Sequence, residues 1–177
     1  MEILRYPHPC LRQRCKEIEE IDAAAVQRVE DMFRVMYQFK GVGLAAPQVG
    51  WDARLFVANA TGKAEDAMVF INPRILSREG TVTQEEGCLS VPGVYGKVTR
   101  AERVRAQAFN LQGEAFEIEA GGLLAIAIQH ESDHLDGVLF ISRLTPASRI
   151  AVKQQIKEME EEFKTAHPDE KPIPCPL

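Results

Sequence analysis

Gly121-Gly122-Leu123-Leu124-Ala125-Ile126-Ala127-Ile128-Gln129-His130-Glu131-Ser132-Asp133-His134-Leu135-Asp136-Gly137 is the stretch from which the rest of the chain can be read. Its residues 123 to 128 are all apolar, and a helix that is apolar all round is buried. Gly121-Gly122 opens this helix and Gly137 closes it. His130 and His134 are four apart, so on a helix they stand on one face, a turn from each other. Glu131 is adjacent, where a carboxylate can handle protons for an activated water. This is the His-Glu-x-x-His pattern of a helix-borne hydrolytic metal site. The plain alternative is a pair of satisfied polar histidines on a surface helix. Two of the four histidines in the chain fall at ligand spacing, however. The apolar run also carries them close to the core, where unpaired charge is costly and a bound cation resolves the cost.

A buried helix needs cover on every side. Asp22 caps a helix over 23–39, with Val26, Val29, Met32, Phe33, Met36 and Tyr37 at helical spacing on one face. Gly41-Val42-Gly43 ends it. Residues 54–59, 68–72 and 74–76 read as extended, with Pro73 interrupting the last two. Val104, Ala106 and Ala108 alternate with polar neighbours over 103–110, and Phe116 and Ile118 do so after a Gln112-Gly113 turn. A short strand over 139–142 follows the central helix. Pro146 then starts a last helix over 147–164, with Ile150, Ile156, Met159 and Phe163 inward and Glu158, Glu160, Glu161 and Glu162 on a solvated face. The expected fold is α+β: short, mostly antiparallel strands around the buried central helix, with N- and C-terminal helices. A single catalytic domain over 1–165 is followed by a Pro-rich disordered tail over 166–177.

Composition narrows the functional classes. The 177 residues are 45% hydrophobic and 27% charged, ordinary for a globular domain. A net charge of −5 argues against a nucleic-acid surface, so no DNA partner is expected. No apolar run is long enough to span a membrane, and Met1-Glu2-Ile3-Leu4-Arg5 does not look like a signal peptide. The expected location is cytoplasmic. Cys10, Cys15, Cys88 and Cys175 form no Cys-x-x-Cys pair, and disulfides are not the default in a reducing compartment.

A catalytic metal typically has three protein ligands and one open position. Downstream of His134 the only histidine is His167, in the tail. Upstream stands Glu85-Glu86-Gly87-Cys88-Leu89-Ser90. Cys88 taken alone reads as an inert buried thiol; beside the helix motif, elimination makes it the best third ligand. Gly41-Val42-Gly43-Leu44-Ala45-Ala46-Pro47-Gln48-Val49-Gly50 matches neither a P-loop nor a dinucleotide fingerprint, and reads as a helix-to-strand loop needing glycine for its turns. A Cys-His₂ donor set by itself suggests zinc.

Taken together, Gly41–Gln48, Glu86–Ser90 and Gln129–Leu135 resemble the three motifs of the bacterial peptide deformylase family, in the same order and at similar spacing. Ile71-Asn72-Pro73 and Gly121–Ala125 add to the likeness, which covers residues 3–165. The resemblance implies hydrolysis of the N-formyl group of formyl-methionine on nascent polypeptides, releasing formate. It implies that Cys88, His130 and His134 hold one Fe²⁺ per chain, with Zn²⁺ or another divalent ion able to take its place. Glu131 is then the general base. Gln48 and the amide of Leu89 stabilise the oxyanion. Val42, Gly43, Leu123, Ile126 and Ala127 correspond to the methionine pocket, and the peptide pairs with an edge near Gly43 and Gly87.

The chain departs from the family in two places. Where several relatives carry an Arg after the Cys motif, it reads Val94-Tyr95-Gly96-Lys97, which puts Tyr95 at that position. Some members dock on the ribosome through a basic C-terminal helix; here Arg149, Lys153, Lys157 and Lys164 share the helix with four glutamates, which departs from that basic pattern. The partners the resemblance implies are N-formylmethionyl peptides and a transient ribosome contact. Two rival readings are an endopeptidase, which needs a longer cleft, and a metal-stabilised module, which has no use for Glu131.

Overall fold

The computed structural model describes residues 1–169 and 171–173. Helix α1 (Ala23–Gln38) is capped by Asp22, whose carboxylate accepts from Ala25 N–H at 2.7 Å. Strands β1 (Gly43–Ala45), β2 (Leu55–Ala58) and β3 (Met68–Glu79) follow, then a hairpin of β4 (Val82–Cys88) and β5 (Val91–Arg100). Strands β6 (Arg103–Phe109) and β7 (Ala115–Gly121) lead into the central helix α2 (Gly122–Leu135), and α3 (Pro146–Ala166) ends the fold. All pairings are antiparallel: β1-β2-β3-β6-β7 form one sheet and β4-β5 a second. This is the expected α+β architecture. Among the described residues no helix is long and apolar enough to cross a membrane.

Helix α2 lies against the larger sheet. Ala45, Ala58, Ala106, Ala108 and Ala125 are all buried there, and such small side chains let helix and strands approach closely. Phe56 and Phe70 stack at 4.5 Å beneath Ile128 and Leu135 in the same cluster. Helix α1 packs Val29, Met32 and Met36 onto Leu44, Leu55, Val57 and Ile71. Helix α3 packs Val152 and Ile156 onto Val94 and Val98 of β5 and onto Phe140. The helix that carries the motif thus buries Ala125, Ile128 and Leu135 in the core of the larger sheet, while its first turn stays open, with Leu123 48% exposed.

Several local expectations give way to tertiary structure. Pro73 does not break the sheet: β3 runs through it with a register shift between Ile71 and Arg74. There Asn72 adopts φ 49° and its carboxamide bonds both Ile18 N and Ile18 O. Residues 139–142 are not a strand, because Phe140–Arg143 form a 3₁₀ turn. Ile150 is 77% exposed rather than inward. The β4-β5 hairpin adds two strands that the sequence pattern does not mark, Pro92 and Gly93 breaking the alternation at the start of β5. Of the tail over 166–177, residues 170 and 174–177 lie outside the described residues.

Candidate active site

The hairpin brings Cys88 to the histidines. In β4-β5 the register runs Gly87 to Tyr95 and then jumps to Cys88 opposite Val91. The three extra residues on β5, Pro92-Gly93-Val94, form a bulge around Gly93 at φ 77°. The bulge lets Leu89-Ser90 turn tightly and aims the Cys88 side chain at α2. Cys88 Sγ stands 3.3 Å from His134 Nε2. One donor atom each of Cys88, His130 and His134 lies within 4.8 Å of the others. Among the described residues this is the only such cluster of three or more His, Cys, Asp or Glu donors.

The surroundings treat the two imidazoles differently. His130 Nδ1 is 2.9 Å from Glu86 Oε2, which leaves Nε2 for the cluster. Burial works against a protonated His130, yet Cys88, Glu86 and Glu131 together raise its pKa well above the ordinary value. The same surplus of negative charge favours any cation at this point. Burial, with His130 and Arg100 nearby, drives His134 well below its ordinary pKa and keeps it neutral, as a metal ligand must be. His134 Nδ1 is buried with no hydrogen-bond partner. A sulfur and two imidazole nitrogens, converging and mostly dry, form a donor set that fits a borderline-soft divalent ion.

Glu131 is 5% exposed, and burial pushes its carboxyl up to about 7 against the attraction of His130 and Arg100. That value suits a group that takes and returns a proton near neutrality. Its side chain lies along Gly43: a Cβ there would collide with Glu131 Oε1 and come within 2.7 Å of Glu131 Cγ. Gly43 is therefore required by close approach. Gln48 is buried behind the same wall, with Oε1 accepting from Ala45 N–H at 2.8 Å and Nε2 donating to Cys88 Sγ at 3.4 Å. Leu89 follows Cys88 along the lining.

These groups share one cleft of about 920 Å³. Val42, Gly43, Gln48, Gly87, Cys88, Leu89, Leu123, Ile126, Ala127, His130 and Glu131 all line it, so the structure gathers every residue picked out in the sequence, with His134 buried just behind. Tyr95 also lines the cleft, 62% exposed, with its ring lying on Gly87 where any side chain would collide with it.

Other residues escaped the sequence reading. Glu86, Arg100 and Asp133 form a buried ion-pair chain. Arg100 Nε and Nη2 donate to Glu86 at 2.8 and 2.9 Å, and Nη1 donates to Asp133 at 2.6 Å. Arg143 grips Asp133 from the surface side, with Nη2 at 2.6 Å. Burial opposes the Glu86 charge, but Arg100 and His130 hold its carboxyl down at about 2. The one available signal was the alternation of β5, which puts Arg100 on the face that Val94 and Val98 bury.

A buried His-Glu-x-x-His helix facing an upstream cysteine, beside a polar carboxamide in an open cleft, defines a metal-dependent amide hydrolase. The comparisons resolve which one. The sequence model of polypeptide deformylase matches residues 1–150. The chain is 48% identical over 162 residues to the peptide deformylase of Chromobacterium violaceum, covering 92% of this chain and 97% of that one. It is 46% identical to that of Neisseria gonorrhoeae, covering 89% and 95%. The structure of Arabidopsis thaliana peptide deformylase 1B superposes with a TM-score of 0.92 at 37% identity, over 100% of this chain and 97% of that one. That of Plasmodium falciparum peptide deformylase gives 0.90 at 36%, over 94% and 99%. The chain belongs to the peptide deformylase family, metal-dependent hydrolases that remove the N-formyl group from nascent peptides.

Proposed function

We propose that this chain deformylates N-formylmethionyl peptides at the Cys88, His130 and His134 centre, with one Fe²⁺ held there. Zn²⁺ or another divalent ion can occupy the same donors. The observation that carries the reading is the convergence of those three donors beside the buried Glu131 carboxylate, in the cleft that Gln48 also lines. When bound, the ion supplies Lewis acidity for attack of water on the formyl carbon.

The protein's own groups do the rest. Glu131 accepts the proton of the attacking water on its carboxylate and delivers it to the leaving amine nitrogen. The Gln48 carboxamide and the Leu89 N–H receive the developing oxyanion, a contribution of several kcal/mol in such sites, roughly 3 per donor. Val42, Leu123, Ile126 and Ala127 supply apolar walls for the methionine side chain. The backbone beside Gly43 and Gly87 pairs with the peptide. Residues 1–165 act as one catalytic domain, located in the cytoplasm, and the lysines of α3 make a transient contact with the ribosome.

Formate release from formyl-Met-Ala-Ser, paired with metal analysis of anaerobically purified protein, tests the reading. Formate production with one iron per chain is expected. Internal peptide cleavage without formate would overturn it. Co-sedimentation with ribosomes, lost when Lys153 and Lys157 become Glu, tests the contact through α3.

A further inference from the structure

Gln48 is 2% exposed, and its carboxamide is held at both ends. Oε1 accepts from Ala45 N–H at 2.8 Å. Nε2 has two hydrogens, and two acceptors stand within reach: Cys88 Sγ at 3.4 Å and Ser90 Oγ at 3.2 Å. Ser90 is 0% exposed and is not among the residues lining the cleft, so its hydroxyl has no direct access to a substrate.

The two ends of the amide are controlled differently. Ala45 N–H decides which end carries the nitrogen, because a flipped amide would set donor against donor. It does not fix the twist of the amide plane, since the terminal torsion of a Gln side chain is broad. Ser90 Oγ removes that freedom by engaging one N–H. The other is thereby directed at Cys88 Sγ, which lines the cleft. The backbones are tied by one segment: Leu4 N–H donates to Gln48 O at 2.7 Å, and Tyr6 N–H donates to Ser90 O at 2.8 Å. Gln48 and Ser90 are thus held in register before any substrate arrives.

We propose that Ser90 is a positioning residue for deformylation: its hydroxyl takes one Gln48 N–H, so that the other, resting on Cys88 Sγ at the cleft wall, is the one presented to the oxygen of the reacting formyl group. The inference rests on the reading of Gln48 as an oxyanion donor. It also explains why a serine is buried beside the metal ligand without touching substrate.

A double-mutant cycle on the cobalt-loaded enzyme tests it, with kcat, KM and the thiolate-to-cobalt absorption band read for wild type, Ser90→Ala, Gln48→Ala and the double variant. Ser90→Ala is expected to lower kcat about tenfold while KM stays within about twofold. In the Gln48→Ala background it is expected to cost nothing further. The absorption band shifts in both single variants, because the Gln48 N–H to Sγ bond loosens in one and vanishes in the other. Ser90→Cys, nearly isosteric but a weaker acceptor, falls between wild type and alanine, and decides the matter if the alanine variant is unstable. Wild-type kcat in both Ser90 variants, or a Ser90→Ala loss that persists undiminished without Gln48, would overturn the Ser90 role alone. Wild-type kcat in Gln48→Ala would instead remove the oxyanion role of Gln48, and this inference with it.

Discussion

Glu86 Oε2 stands 2.9 Å from His130 Nδ1, inside the protein, while the same carboxylate is gripped by Arg100. One donor of the Cys88, His130 and His134 cluster is thus oriented by an ion pair reaching across the hairpin. Asp133, one of the two residues between Glu131 and His134 in the helix motif, closes the chain by accepting from both Arg100 and Arg143. The arrangement fixes the ring plane of His130 and leaves no charge in the network unpaired.

Replacing Glu86 with Ala removes the orienting acceptor and strands Arg100, which is 6% exposed. Metal affinity should fall by about 10- to 100-fold, as for other groups that orient a ligand. Fold stability should fall by roughly 3–5 kcal/mol, because a buried guanidinium loses its main partner. Chelator competition and urea unfolding read the two effects separately. Unchanged metal affinity would show that His130 needs no orienting partner.

Glu131→Gln keeps the size and burial of the side chain but removes its basicity. Turnover should drop by about 10²- to 10⁴-fold with metal content unchanged. An active variant with full metal occupancy would refute the general-base role.

A methyl group at Gly43 has nowhere to go. In Gly43→Ala the new Cβ would sit 2.7 Å from Glu131 Cγ, so the carboxylate must move. A displacement of this kind costs about 10²-fold in kcat, with Cys88, His130 and His134 untouched. Metal content equal to wild type beside a large loss of kcat is the expected pattern; a wild-type kcat would mean that Glu131 is not held in place by this contact.

Cys15 offers a pH test away from the site. It is 6% exposed, and burial, reinforced by Asp52, pushes its thiol up from 9.0 to about 11. The folded state therefore holds this proton more tightly than the unfolded chain does. The associated stability is complete below pH 9 and is lost as pH rises through 11. Urea midpoints between pH 8 and 11 should fall more steeply for wild type than for Cys15→Ala. Parallel curves would exclude this thiol as the cause.

The helix α2, its burial and the shared face of His130 and His134 were legible because they are local. A run of apolar residues and a spacing of four need only 3.6 residues per turn to be interpreted. Helix α1 was legible for the same reason, through Asp22 and its apolar stripe. The reading failed where neighbours overrule propensity. Phe140–Arg143 turns instead of extending, and its Phe140 and Ile141 are drawn into the cluster under α3. Pro73 is absorbed by a bulge that Asn72 braces against Ile18.

By itself, then, the sequence determined the helix, the two imidazoles, the carboxylate beside them and, through three linked motifs, the family. Only the tertiary structure decided that Cys88 reaches His134 across 46 residues, and that Glu86 meets Arg100 and His130, 14 and 44 residues away. It alone seated Gln48 on Ser90, 42 residues on. Those contacts depend on the bulge in β5 and on how the hairpin docks against α2. Such register is set by the packing of whole elements, and no local pattern of residues encodes it.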